Sequence, residues 1–135
     1  MTSAERTEVL VTARLLQATA KFQWLSIGLT LLALISLVLE KSGSLVLIAV
    51  AGLGLVVNYY GFRMAFDARL LTDAAAERLT AADLDVALTA LSLAKASKGG
   101  RSWSERCLGA KRLSIRCGMA LAAQLLVAAI FALTR

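Results

Sequence analysis

Three stretches of this chain, residues 22–39, 45–62 and 117–134, each run for eighteen residues without a charged side chain. A helix needs about 17–25 such residues to cross the hydrocarbon core of a bilayer. Inside lipid every backbone group must be bonded within its own segment, so an unpaired loop is not an alternative there. The pattern predicts an all-α integral membrane bundle of three transmembrane helices, with residues 1–135 forming one membrane domain. The chain has no proline, which leaves long helices unbroken. Its hydrophobic share of 59% and mean hydropathy of +0.72 lie well above those of a water-soluble domain.

The second apolar stretch organises the rest. From residue 44 to 79 the sequence is apolar in its first half and polar but helix-favouring in its second. One long helix, half in lipid and half in the cytoplasm, is the simplest reading. Small residues recur along it at steps of three and four: Ala51, Gly54, Asn58, Gly61, Ala65, Ala68, Thr72 and Ala75. That spacing keeps them on one helix face. Lipid offers no hydrophobic gain from helix pairing, so close backbone approach at small residues is what drives it. Asn58 is the strongly polar member. It reads as interhelical glue, with pore lining as the functional alternative. The seam does not say whether its partner helix belongs to the same chain or to another copy.

Upstream, Val9, Ala13, Leu16 and Ala20 share one face of an amphipathic lead-in over residues 1–21, with Ser3 and Arg6 as a weak cap. This helix is expected to lie on the membrane surface or to run straight into the first span. Charges of both signs precede the apolar block, which is too long for a cleaved signal. In the first span Ser26, Thr30 and Ala33 form a small face that would complement the seam. Residues 40–44 make a tight turn. Tyr59, Tyr60 and Phe62 form an aromatic belt at the end of the second span, and Arg63 can extend towards headgroups.

Residues 63–116 are expected to form a cytoplasmic helical hairpin. Its first arm, continuing to residue 85, carries Asp67, Asp73, Glu77, Asp83 and Asp85 against Arg69 and Arg78. Its second, over residues 95–116, carries Lys95, Lys98, Arg101, Arg106, Lys111, Arg112 and Arg116 against Glu105. Charge complementarity predicts antiparallel packing of the arms. Thr80 and Asp83 would cap a helix running from Ala81 to about Ala96, and Ser102 with Glu105 resembles a capping box for the next. On that last helix Trp103, Cys107, Ala110, Ser114 and Cys117 share a face. The cysteines lie ten residues apart, about 15 Å along a helix, and read as small packing residues. The third span is rich in alanine. Gly118, Ala122, Ala129 and Ala132 form its small face, and Gln124 is its one strongly polar group.

The formal net charge is +6. With three spans present, anionic headgroups are the expected partner of the basic residues rather than nucleic acid. Arg63, Arg106, Lys111, Arg112 and Arg116 are the headgroup candidates. All of the 15 basic residues except Lys41 and Arg135 fall on the N-terminal side of the predicted topology. That places the N-terminus in the cytoplasm and the C-terminus across the membrane, with a bacterial inner membrane as the expected location.

Catalytic chemistry is not in evidence. The chain has no histidine, the commonest general base and metal ligand. It has no phosphate-binding glycine loop and no charge inside a span to relay protons. No enzymatic activity, metal or cofactor is expected. The packing or lining residues are Ala51, Gly54, Asn58, Gly61, Ser26, Thr30, Gly118 and Gln124. They suggest a self-associating membrane protein, pore-forming or membrane-disrupting. The alternatives are an accessory subunit of a larger membrane complex, or an anchor whose cytoplasmic hairpin recruits a soluble protein.

The basic lead-in with Arg14 and Lys21, the two-span hairpin with its turn at residues 40–44, and the helical extension over 67–79 resemble the SLATT family. Those proteins are two-span effectors of bacterial nucleotide-signalled defence systems, held to perforate membranes. The resemblance covers residues 10–80 and is one of architecture. It implies a pore-forming role, although the third span departs from the family's two-span pattern.

Overall fold

A computed structural model describes residues 1–40, 44–90 and 102–134. It contains helices α1 (Ser3–Ala20), α2 (Gln23–Glu40), α3 (Leu45–Ala75), α4 (Ala81–Ala90) and α5 (Trp103–Leu133). No strand occurs among the described residues. The turn expected at 40–44 falls largely outside them, as do Lys95, Lys98 and Arg101 and the end of the helix expected to reach Ala96.

Local sequence sets most of the helix starts. The first cap is Thr2 with Glu5, not Ser3 with Arg6: the Thr2 hydroxyl accepts from Glu5 N, and the Glu5 carboxylate accepts from Thr2 N. Thr2 sits in the extended conformation that a cap requires, while Ser3 is already helical. The Thr80–Asp83 pair and the Ser102–Glu105 capping box form as their sequences predict.

The organising helix α3 ends at Ala75 and does not reach residue 79. Arg78 N donates to Asp73 O and Glu77 N to Ala74 O, while Glu77 has φ of 59°. These two bonds define a Schellman motif with a left-handed residue after the helix. Glycine normally fills that position, so a glutamate there gives the sequence no stop signal.

α1 and α2 form nearly one rod. Between them Lys21 N donates to Ala18 O, Phe22 N to Thr19 O and Trp24 N to Lys21 O, so the helix tightens to i→i−3 bonds rather than breaking. This rod packs antiparallel to α3 along its whole length. α2 lies against the first half of α3 and α1 against the second, and α5 returns beside both. α1 therefore stands upright in the bundle and leads straight into α2.

The result is a three-rod bundle with two cores end to end. At one end Val9, Ala13 and Leu16 pack with Met64, Ala68, Leu71, Cys107, Ala110 and Leu113. At the other, Ala33, Leu47 and Val50 pack with Val127, Ala128 and Phe131. α3 and α5 have 31 residues each, about 46 Å at 1.5 Å per residue.

The two charged arms do lie together, through α3 and α5, but mainly by apolar contact. Among the described residues one ion pair joins them directly, Arg106–Asp85, with both side chains largely buried. Lys111 instead faces Glu8 of α1 at 4.0 Å, and Arg6 pairs with Glu77 at 3.3 Å. Such exposed pairs contribute about 0–1 kcal/mol each. Cys107 and Cys117 are free and buried, and burial pushes the Cys107 thiol up, in keeping with a packing role.

One buried hydroxyl in this core is weakly bonded. Thr12 Oγ1 makes no hydrogen bond of good geometry among the described residues, and the soft Cys107 thiol is the group that interacts with it. Thr12→Val replaces it by a methyl of similar shape and is expected to be neutral or stabilising by up to about 1 kcal/mol in detergent unfolding. A loss larger than that would show that the hydroxyl is bonded in solution.

Candidate functional site

Two polar features stand out, one inside the bundle and one on its flank. The inner one is built around Gln124. Ser26 Oγ donates to Gln124 Oε1 at 2.7 Å. Gln124 Nε2 in turn donates to Thr30 Oγ1 at 3.2 Å, to Val50 O at 3.3 Å and to Ser26 O at 3.4 Å. Gln124 and Ser26 are fully buried and Thr30 nearly so. One amide thus ties α2, α3 and α5 together where lipid would leave it unpaired.

Gly54 lets the three helices close on this node. A Cβ built there would overlap Thr30 Oγ1 and come within 2.8 Å of Gln124 Nε2. Further along, Asn58 Nδ2 donates to Gly54 O at 2.9 Å, and Gln23 Nε2 donates to Asn58 Oδ1 at 3.1 Å. The Gln23 side chain lies across Gly61, where a Cβ would crowd it. The seam of α3 therefore pairs with the Ser26–Thr30–Ala33 face of α2 in the same chain, which answers the question its spacing leaves open.

Six of the eight nominated packing residues meet here: Ser26, Thr30, Gly54, Asn58, Gly61 and Gln124. Ala51 is half-buried at the edge. Gly118 is not part of the seam. It is exposed, with open space where a Cβ would stand, and Ala122, Ala129 and Ala132 are exposed beside it. The sequence reading missed Gln23. Its signal was available, because positions 23, 26, 30 and 33 continue one face at helical spacing.

The same contacts set the three apolar blocks level with one another. The Gln23–Asn58 bond aligns the start of the first block with the end of the second. Cys117 Sγ, 4.0 Å from Val57 O, brings the start of the third to that height. Trp24, Tyr59 and Phe62 project outwards at this level. Beyond it the outer faces are apolar: Leu32, Ile35 and Val38 on α2, Leu55 on α3, and Met119 and Leu126 on α5 are all more than half exposed.

On the flank, starting at this level, α3, α4 and α5 border a cavity of about 560 Å³. Its walls include Tyr59, Tyr60, Arg63 and Asp67 from α3, Leu84 from α4, and Trp103, Arg106, Arg112 and Arg116 from α5. Four of the five nominated headgroup residues therefore converge. Lys111 is the exception, on the side of α5 that faces Glu8. Arg106 is held by Asp85 and lies over the Trp103 ring, 5.7 Å from its centroid. Asp67 stands beyond the end of the second apolar block at Phe62. Burial pushes its carboxyl above the ordinary carboxylate range, against the pull of Arg63.

No family model, no characterised protein and no solved structure matches the chain. Three of its helical segments are long and apolar enough to cross a membrane.

Proposed function

We propose that this chain is a non-enzymatic integral membrane protein, a three-span bundle with a cytoplasmic helical cap, that associates with other copies through outward-facing small residues. One observation carries the membrane reading. Three level apolar blocks turn leucine, isoleucine and valine outwards while glutamine, serine and threonine are bonded inside. Apolar surface on that scale is not sustained in water. Lys and Arg at the α1 end, against an apolar far end, support a cytoplasmic N-terminus and a C-terminus across the membrane.

For association, Gly118 and Ala122 on α5 are small residues open to a second helix, as are Gly28 on α2 and Gly52 on α3. The polar residues first considered as pore lining bond to one another, so one bundle offers them as glue. A membrane-perforating role, as the SLATT resemblance implies, would need several copies to line a conduit with their outer faces, which are apolar. An accessory subunit of a larger membrane complex would use the same α5 face.

The test is extraction and sizing. The full chain is expected to stay with membranes through alkaline carbonate washing. It should also purify in mild detergent as a defined oligomer, which Gly118→Leu reduces to monomer without unfolding it. Release by carbonate would overturn the membrane reading, and a monomer that co-purifies with larger subunits would replace self-association by the accessory role.

A further inference from the structure

The flank cavity has a charge problem of its own. Arg63, Arg106, Arg112 and Arg116 line it, and Asp67 is the one carboxylate among its described lining residues. Asp85 pairs with Arg106, and both side chains are largely buried. Arg112 and Arg116 take part in no ion pair among the described residues. Like charges gathered at one cleft repel, and an anion between them relieves that repulsion.

The donors suit a phosphate better than a carboxylate or halide. Guanidinium groups present paired N–H donors that match phosphate oxygens, and several can share one phosphate. Arg106 is already fixed in place by Asp85 and Trp103. The opening starts at the aromatic level marked by Trp24, Tyr59 and Phe62, the height at which headgroup phosphates lie in the proposed orientation. Its volume falls within the range of about 300–1,000 Å³ typical of ligand clefts, larger than a simple ion needs.

We propose that the cavity between α3 and α5 is a phosphate-recognition site for a ligand carrying at least two negative charges, held by Arg63, Arg112 and Arg116 beside the fixed Arg106. This deepens the membrane reading above and takes its lipid source from it. The same chemistry would serve a soluble phosphate compound, and the experiment separates the two.

The full chain is placed in nanodiscs of zwitterionic lipid doped with either a diphosphatidyl lipid or phosphatidylglycerol, at equal total negative charge. Retained lipid is counted by native mass spectrometry. In a second arm, inorganic pyrophosphate is added to the chain in neutral detergent and the unfolding midpoint is followed. Retention of the diphosphatidyl lipid is expected to exceed that of phosphatidylglycerol. Arg112→Gln with Arg116→Gln should lower it by about tenfold or more, since each removes a charged, paired donor from the cavity wall. Arg14→Gln with Lys111→Gln removes the same charge outside the cavity and should change retention by less than about twofold.

Arginine-dependent retention without a pyrophosphate response assigns the site to lipid. A pyrophosphate-induced rise that the Arg112/Arg116 pair abolishes assigns it to a soluble phosphate. Equal losses from the two charge-matched pairs would overturn the proposal, as would no preference in either arm, with the chain still inserted and the membrane reading intact. Failure to enter nanodiscs would instead strike the membrane reading, and the pyrophosphate arm would still decide on the cavity.

Discussion

Gly54→Ala is expected to cost the bundle about 1–3 kcal/mol of unfolding free energy, a large effect for one methyl group. The added carbon would occupy the space of Thr30 Oγ1 and press on Gln124 Nε2. Thr30 cannot turn aside freely, because its hydroxyl donates to Ser26 O at 2.7 Å and accepts from Gln124. α2 and α3 must therefore separate. Gly52→Ala, two residues away and facing open space, is the matched control. It should be neutral or stabilising by up to about 1 kcal/mol, because alanine loses less freedom than glycine in a helix. Denaturation in mixed detergent micelles checks both, and Thr30→Ala should recover part of the Gly54→Ala loss. Equal behaviour of the two glycine variants would show that the helices do not meet at Gly54.

The second large effect is expected at Gln124. Gln124→Leu removes a fully buried amide that bonds groups on two other helices. At about 0.6 kcal/mol for an average interhelical bond in a membrane protein, its three shortest bonds together suggest a loss of about 2 kcal/mol. Part will be recovered, because Ser26 can turn its hydroxyl back to its own helix. The cycle with Ser26→Ala should be less than additive, with a coupling of about 0.5–1 kcal/mol. Strict additivity would mean that the two side chains act separately.

Much of this architecture was legible because lipid-crossing helices are written in long uncharged blocks, and three such blocks stand out. The Ser26–Thr30–Ala33 face and the Gly54–Gly61 seam could be paired from spacing alone. Their partnership within one chain could not, since small residues fit a neighbouring copy equally well. The end of α3 was misread because Glu77 adopts a left-handed conformation without glycine to announce it. The lead-in was open between lying on a membrane surface and running straight into the first span, because an amphipathic face serves either. Its packing on Met64 and Ala68, continuous with α2, is a tertiary contact that no local pattern records. The headgroup arginines were named from position and charge. Their convergence on one cleft depends on how α3, α4 and α5 pack, and no residue pattern records that. Lys111 was grouped with them because it is basic and near in sequence, yet its helix angle turns it towards Glu8.

The tightened step at Lys21–Phe22 has a mechanical consequence. α3 and α5 run uninterrupted from the capped end to the apolar end, and stiff rods carry a displacement from one tip to the other. The α1–α2 rod has its joint level with the start of the three apolar blocks. In the orientation proposed above, this joint is where bending of the rod between its aqueous and apolar halves would concentrate.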